Sequence, residues 1–277
     1  MARPMLTDRS PDGLRAAIEA DIVATRLYNQ DIPLEAHEEP DVAWSVPAQG
    51  SEMRPIAAWS NFAADTVERR LDDLIAVADA RGAAFLWWLA PHHGPPDLGD
   101  RLARRGFAEV DNTAAMAIDL EDLPAEDEPP SGVRIELLDD ADDVDTYVDL
   151  LMREMEHSHG ASPPSARAIR RQHLLDRLGN DPDSRRFIAW LDDRPVATSR
   201  LSMAGGAAGL YTVVTMPEAR GRGIGRSMTL RAMHAGREAG MRIGTLQATD
   251  MGFRIYSKLG FEELFRYRMM VRPARSR

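Results

Sequence analysis

The chain has 277 residues, about 44% hydrophobic and 28% charged, which is typical of a globular protein with one large domain or two modest ones. Its formal net charge of −10 disfavours nucleic acid as a main partner. No apolar run is long enough to span a membrane and the N-terminus lacks the apolar core of a signal peptide, so we expect a cytoplasmic protein without a membrane partner.

The first half of the sequence predicts a helix, an apolar strand, a short helix and a closing strand. The first helix is expected near 63–81. Its apolar residues recur at helical spacing, at Val67, Leu71, Leu74, Ile75 and Ala78. The run AAFLWWLA (83–90) is typical of a strand, and ARRGFAEVDNTAAMAI (103–118) predicts the end of a short helix, a Gly-Phe turn and the closing strand.

An acidic, proline-rich segment divides the sequence. EDLPAEDEPPSG (121–132) has the composition of an exposed linker, although a charged loop inside one domain would have the same composition. The alternation of strands and helices that follows favours a boundary. We therefore predict a first lobe at 1–120, a linker at 121–132 and a second domain at 133–277.

The second half alternates between strand and helix patterns. Strands are predicted at 133–137, 207–216 and 244–249, and helices at 139–156, 165–180, 223–239 and 250–260. RFIAWLDDRPVATSRLSM (186–203) predicts a hairpin with DDRP as its turn. FEELFRYRMMV (261–271) is interpreted as a final pair of strands.

The two halves share an order of elements. Gly106 and Phe107 lie 154 residues before Gly260 and Phe261. A helix, a strand, a short helix, the Gly-Phe turn and a closing strand occur in this order in both halves. We interpret this as an internal structural repeat.

The segment PEARGRGIGRSM (217–228) follows a predicted strand and opens a long helix. Helix starts leave unpaired N–H groups and a partial positive charge, and glycines let an anion approach that backbone closely. The arginines Arg220, Arg222 and Arg226 add charge for a polyphosphate. A P-loop is excluded because it requires Gly-Lys-Ser/Thr, and a dinucleotide fingerprint fits poorly because its third glycine is misplaced. The spacing R-x-x-G-x-G remains.

With this motif the sequence resembles the GCN5-related N-acetyltransferase (GNAT) family over roughly 132–273. The resemblance depends on VVTMPEARGRGIG (213–225), which is similar to the acetyl-CoA segment of the family, and on RIYSKLGF (254–261), which is similar to its closing segment. It implies an α/β (α+β) fold with a mixed, mostly antiparallel central sheet flanked by helices. The repeat predicts two tandem GNAT-like lobes, a layout similar to that of mycothiol synthase.

The resemblance also implies which residues bind acetyl-CoA, the expected cosubstrate. Val213, Val214 and Thr215 would form the edge of a splayed strand whose backbone binds the pantetheine arm and polarises the thioester carbonyl; a simple β-core reading is compatible with this role. The pyrophosphate would be bound by the segment Arg220, Gly221, Arg222, Gly223, Ile224, Gly225 and Arg226.

Tyr256 lies where the family usually has a tyrosine that protonates the departing thiolate, although a buried packing tyrosine is the alternative. Two positions depart from the family pattern. Thr249 stands where Asn is frequent, and Gly252 where Ala is frequent. Thr249 is still able to hydrogen-bond the pantetheine.

No general base is evident in the sequence. Glu154 and Glu156, at the end of a predicted helix, are candidates for a base or for an anchor of a cationic amine, with solvated surface residues as the alternative. No metal is expected. The chain has no cysteine, HSH (157–159) lacks an evident third ligand and begins a predicted substrate loop, and His92-His93 resembles a loop pair.

The first half lacks R-x-x-G-x-G and is interpreted as a degenerate lobe without its own acetyl-CoA, which is structural or forms a wall of the substrate pocket. Two functions remain open. One is acetyl transfer from acetyl-CoA to a primary amine of a small molecule or peptide by direct attack. The other is a catalytically silent module that binds acyl-CoA as a sensor or scaffold. The chain is expected to be a monomer or homodimer.

Overall fold

The fold was analysed in a computed structural model, which describes residues 4–51, 53–159 and 161–274, with the main chain alone at 158 and 159. These residues form seven α-helices and eleven strands. The helices are α1 (Pro11–Tyr28), α2 (Val67–Ala80), α3 (Leu98–Arg104), α4 (Asp142–His159), α5 (Ala166–Arg177), α6 (Ile224–Glu238) and α7 (Asp250–Lys258). The strands are β1 (Leu34–Glu38), β2 (Val42–Pro47), β3 (Ile56–Ser60), β4 (Phe85–Leu89), β5 (Ala108–Asp119), β6 (Val133–Leu137), β7 (Ser184–Leu191), β8 (Arg194–Ser202), β9 (Ala208–Thr215), β10 (Ile243–Ala248) and β11 (Glu262–Arg272).

All eleven strands belong to one sheet, in the order β1-β2-β3-β4-β11-β5-β10-β9-β8-β7-β6. Only two neighbouring pairs are parallel, β3 with β4 and β9 with β10, and each pair is joined by a helix that crosses over the sheet. The remaining pairs are antiparallel. The predicted α/β class with a mixed, mostly antiparallel sheet is confirmed.

The structure also confirms the internal repeat. The series β3-α2-β4-α3-β5 in the first half corresponds to β9-α6-β10-α7-β11 in the second. The closing strands of the two series are exchanged: β11 lies between β4 and β5, and β5 lies between β11 and β10. The two halves therefore share one continuous set of backbone hydrogen bonds across their closing strands.

Helices cover both faces of the sheet. On one face α2 and α3 pack on β4 around Trp87, while α6 packs on β5 around Met116. On the other face α1 packs on β5 around Ala115 and Ala117, and α4 and α5 pack on β7 around Ile188. Alternate residues of β5 and β7 thus face opposite helix layers, as the twofold period of a strand requires.

Most predicted elements of the second half lie where the sequence indicated, and the DDRP turn is correct. Asp192 and Asp193 at that turn have φ values of 48° and 61°, as a two-residue hairpin turn with both residues in the left-handed region requires. The predicted final pair of strands is wrong, because β11 is one strand. The loop predicted from His157 is wrong at its start, because α4 continues to His159; Gly160 and the side chains of Ser158 and His159 lie outside the described residues.

A buried ionic cluster joins the two halves. Asp31, which follows α1, accepts a hydrogen bond from Arg186 Nε at 2.8 Å, and Arg170 and Arg200 lie 3.6 Å and 3.8 Å from the same carboxylate. Burial alone would raise the pKa of Asp31, but the three guanidinium groups lower it well below its usual range. All three arginines come from the second half, so Asp31 is a point of attachment between the halves.

The segment 121–132 has little regular structure and lies alongside α6. His234 Nε2 lies 2.8 Å from the Pro124 carbonyl, Arg226 forms an ion pair with Asp127, and Arg231 lies 3.7 Å from Glu126. Its acidic residues are thus placed beside the basic side chains of the helix. Among the described residues, no helix is both long and apolar enough to cross a membrane.

Candidate active site

The candidate site begins where two parallel strands separate. β10 pairs with β9 over only three residues, Gly244–Leu246 with Ala208–Leu210. Beyond that point β9 continues beside β8 to Thr215, while β10 continues beside β5 to Ala248. A wedge-shaped gap therefore opens between the two strands, with Val213, Val214 and Thr215 half-buried along one side.

An irregularity in β9 accompanies this separation. Thr212 has a φ of 48°, and the register between β8 and β9 shifts between Thr198 and Arg200. The Thr198 hydroxyl donates a hydrogen bond to the Thr212 carbonyl at 3.2 Å, which holds the irregular turn of the chain. Such a bulge bends a strand and re-aims its edge groups.

The start of α6 faces open space at the end of this gap. Gly221 and Gly223 have φ values of 77° and 85°, which only glycine adopts without strain, and Gly223 caps the helix. Within the described chain, none of the backbone N–H groups from Gly221 to Gly225 makes a hydrogen bond. A Cβ built on Gly221 would meet no atom within 4 Å. Five unpaired donors at a helix start make a binding site for phosphate oxygens.

The three arginines of this segment differ in their surroundings. Arg220 Nε donates to the Thr215 carbonyl at 2.9 Å, and its guanidinium lies 3.4 Å from Glu154. It therefore links the end of β9 to α4. Arg226 is paired with the linker residue Asp127. Arg222 is exposed and has no ion pair in the described part of the chain, so its charge is directly available to an anion.

The two candidate glutamates differ in their burial and contacts. Glu154 is half-buried and connects to the site through Arg220. Glu156 is exposed two residues further along α4. The structure therefore brings Glu154, and not Glu156, into contact with the segment that the resemblance implies for acetyl-CoA.

Tyr256 lies on α7 with its ring over Gly252. A Cβ built on Gly252 would lie 2.7 Å from Tyr256 Cε2, so glycine at this position allows the ring to approach the helix backbone. The ring also meets Phe261 edge-on at 6.1 Å. Burial raises the pKa of Tyr256 to about 12, which keeps the phenol protonated near neutral pH and able to donate a proton. The departure from alanine at Gly252 thus has a packing reason.

Thr249 caps the helix that carries Tyr256. Its side chain accepts a hydrogen bond from the Gly252 N–H at 3.4 Å, as expected of an N-cap threonine. Its hydroxyl hydrogen is still available to a second partner.

Sequence reasoning missed Gln247, two residues before Thr249, whose side-chain nitrogen is buried without a hydrogen-bond partner in the described structure. No motif marks Gln247, because its significance comes only from the position where β10 leaves β9.

The corresponding region of the first half is closed. β3 and β4 pair through Ile56 and Ala57, but their chains meet again in a bridge between Asn61 and Gly94. The Phe62 N–H donates to the Gly94 carbonyl at 3.1 Å. Residues 61–66, which lead into α2, contain no glycine, and the N–H groups of Thr66 and Val67 are both bonded to the Ala63 carbonyl.

Comparisons with known proteins agree with this geometry. Residues 125–252 match the family described as acetyltransferase (GNAT) domain. The mycothiol acetyltransferase of Catenulispora acidiphila is 28% identical over an alignment of 184 residues, and the match covers 61% of this chain and 56% of the relative. The match thus spans little more than half the length of that curated relative.

Solved structures share the fold of both halves. A GCN5-related N-acetyltransferase from Kribbella flavida has a TM-score of 0.68 at 20% identity, over 93% of this chain and 95% of that chain. A tandem GNAT protein from the clavulanic acid biosynthesis pathway has a TM-score of 0.62 at 14% identity, over 99% of this chain and 98% of that chain. The chain therefore has a tandem GNAT fold, and residues 125–252 match the GNAT acetyltransferase domain.

Proposed function

We propose that this protein transfers the acetyl group of acetyl-CoA to a primary amine of a small molecule or peptide. The observation that carries the proposal is the row of unpaired N–H groups from Gly221 to Gly225 beside the gap between β9 and β10. The match of residues 125–252 to the GNAT acetyltransferase domain supports it.

Different residues around the gap fit different parts of acetyl-CoA. The backbone donors from Gly221 to Gly225 and the charge of Arg222 fit a pyrophosphate. The free edge of β9 from Val213 to Thr215 fits the amide groups of an extended pantetheine arm. Arg220 fixes this edge by holding the Thr215 carbonyl, so its replacement would disturb the strand as well as remove a charge.

The chemistry needs two protein contributions. Acetyl-CoA supplies the acetyl group as a thioester. Backbone N–H groups at the irregular part of β9 stabilise negative charge on the carbonyl oxygen while the amine nitrogen bonds to the acetyl carbon. Tyr256 then gives its proton to the sulfur as the carbon–sulfur bond breaks, and the amine nitrogen loses one proton to a base or to water.

The amine acceptor is proposed only as a class. The name of the curated relative makes compounds related to mycothiol the first acceptors to test, followed by other small amines and peptide N-termini. Because the chain contains no cysteine, a thiol-release assay with thiol-free acceptors detects coenzyme A alone. For acceptors that carry a thiol, coenzyme A is measured by chromatography.

Calorimetric titration with acetyl-CoA is the first test. One site per chain is expected, because the first half has a closed strand pair and no glycine at its helix start. An acceptor screen with the same preparation then measures turnover. Binding without turnover on any acceptor would overturn the enzyme proposal and support a module that only binds acyl-CoA.

A Tyr256→Phe variant tests the proton donor. Turnover should fall by about 10²-fold to 10⁴-fold, the range for loss of a general acid, while the affinity for acetyl-CoA changes by less than about threefold. Tyr28→Phe is the matched control, because Tyr28 is exposed and its hydroxyl bonds Glu38 in the first half. Unchanged turnover in Tyr256→Phe would assign Tyr256 to packing.

A further inference from the structure

Glu19, His92 and His93 meet at the surface of the first half. Glu19 lies on α1, and the two histidines follow β4. The ligand atoms of the three side chains lie within 4.8 Å of one another. Glu19 and His92 are 73 residues apart in the sequence, so the sequence alone indicates only a loop that contains two histidines.

Both imidazole rings direct Nε2 toward the same carboxylate oxygen. His93 Nε2 lies 3.3 Å from Glu19 Oε1, and His92 Nε2 contacts that oxygen as well. Two ligands bound at 2.0–2.1 Å to a tetrahedral ion are about 3.3 Å apart. The His93–Glu19 separation already has this length, whereas the exposed His92 side chain lies closer to Glu19 and has to move outward.

His93 is the unusual member of the group. Its side chain is 1% exposed, and the Glu19 carboxylate faces its Nε2 atom at 3.3 Å, although this contact lacks good hydrogen-bond geometry. A buried nitrogen with so weak a partner is uncommon in folded proteins. An ion bound between Nε2 and the carboxylate would interact with both.

The backbone around His93 fixes the tautomer of the metal-free ring. The Ala90 N–H donates to Nδ1 at 3.2 Å and so favours a ring proton on Nε2, toward Glu19. A ring that binds a metal through Nε2 carries its proton on Nδ1 and donates it, frequently to a backbone carbonyl. Metal binding therefore requires the ring proton to move from Nε2 to Nδ1 and the Ala90 N–H to lose this contact.

Aromatic side chains surround the group. Trp59 and Tyr267 pack against the His93 ring at 6.4 Å and 6.3 Å between centroids, and Phe265 packs against His92 at 5.0 Å. This shell limits water on the buried side. His92, with 36% of its side chain exposed, leaves a route from solvent.

We propose that Glu19, His92 and His93 bind one divalent transition-metal ion of the Zn²⁺ class. Two imidazoles and one carboxylate are a ligand set that such ions accept, and the fourth position is left to water on the exposed side. The ion would tie α1 to the loop after β4. This site is separate from the gap between β9 and β10, and its test does not depend on acetyl transfer.

Titration of the full chain, without a polyhistidine tag, with Zn²⁺ alone tests the proposal. One ion per chain is expected by calorimetry, and Co²⁺ should give visible absorption bands typical of low coordination number. Glu19→Gln and His92→Ala should each weaken Zn²⁺ binding by at least about 10-fold to 100-fold. Both positions are partly exposed, so the variants should fold; circular dichroism without metal checks this.

His37→Ala is the matched control. His37 Nε2 lies 3.2 Å from Glu35 on β1, so it forms a histidine–carboxylate pair without a second histidine. Zn²⁺ affinity should be unchanged in this variant. Absence of Zn²⁺ binding in the parent, or binding that His37→Ala weakens and Glu19→Gln leaves intact, would overturn the proposal.

Discussion

In both parallel strand pairs of this protein a helix connects the two strands, but the gap beyond the paired residues is open in one pair and closed in the other. In the second half β9 and β10 separate after Leu210 and Leu246 and do not rejoin, and α6 begins with unpaired N–H groups. In the first half the bridge between Asn61 and Gly94 closes the corresponding gap. The repeated element order therefore provides the frame, whereas a few residues at the helix start and strand ends decide whether a ligand is accommodated.

The largest expected effect on ligand binding comes from substitution at the open helix start. Gly223→Glu places a side chain and a negative charge at a position with φ of 85°, beside the proposed pyrophosphate. We expect the affinity for acetyl-CoA to fall by at least about 100-fold, on the order of 3 kcal/mol. Calorimetric titration measures it.

Ala64→Glu is the corresponding substitution in the first half. Ala64 is exposed just before α2, so the variant adds the same charge at the closed repeat. Acetyl-CoA binding should remain at one site per chain with unchanged affinity. Equal losses in both variants, or two sites in the parent, would remove the distinction between the halves.

The next effect concerns the attachment of the halves to each other. Asp31→Asn would leave three buried arginines facing a neutral amide, and loss of one partner from such a cluster costs about 3–5 kcal/mol. Urea denaturation should show this loss in a single transition. The control Asp119→Asn disrupts a pair with the largely exposed Arg9 and should cost at most about 1 kcal/mol. Similar costs for the two variants would contradict the role assigned to Asp31.

A smaller effect depends on pH and on a second aspartate of the first half. Asp21 on α1 accepts hydrogen bonds of 2.7 Å from Tyr211 on β9 and from Thr245 on β10, close to the place where these two strands begin to separate. Burial raises the pKa of Asp21 from 3.8 to about 6, despite these bonds. The folded state therefore binds a proton more tightly than the unfolded state between about pH 4 and pH 6. Its contribution to stability is present at low pH and is lost as pH rises through that interval.

An Asp21→Asn variant should remove this dependence. The difference in unfolding free energy between parent and variant should change by up to about 3 kcal/mol from pH 4 to pH 7, in favour of the variant at the higher pH. Denaturant unfolding at several pH values measures it, with the exposed Asp12→Asn as control. A difference that stays constant with pH would show that Asp21 is ionised in the folded protein throughout.

The sequence predicted those parts of the fold that depend on local patterns. The hairpin turn at Asp192-Asp193 and the helix after Gly223 are marked by residues with specific backbone preferences. The first sixty residues gave no predicted element, although α1 contacts β9, β10 and β11 of the second half. Its buried face includes Asp21 and Thr25, which interrupt the apolar spacing. Besides bonding each other, these two side chains bond Ser202, Tyr211 and Thr245 in the second half.

Long-range contacts explain the rest of what the sequence left out. β11 was interpreted as a strand pair because nothing in 261–271 indicates that its neighbours are β4 and β5. In the candidate site, Gly223 and Tyr256 were evident from motifs, whereas the separation of β9 from β10 at Leu210 depends on pairing with distant strands. The Glu19–His92–His93 group likewise exists only after α1 has packed on the sheet.

The exchange of closing strands bears on how the protein is made. While it is being synthesised, the first half has a place between β4 and β5 that only β11 fills. At about 5–20 residues per second the ribosome needs roughly 8–30 s to pass from the end of β5 to the end of β11. Until β10 and β11 are made, β5 has no neighbouring strand and β4 has one unpaired edge, and such edges are templates for aggregation. A chaperone that shields extended segments would thus act on the first half of this protein for longer than on the second.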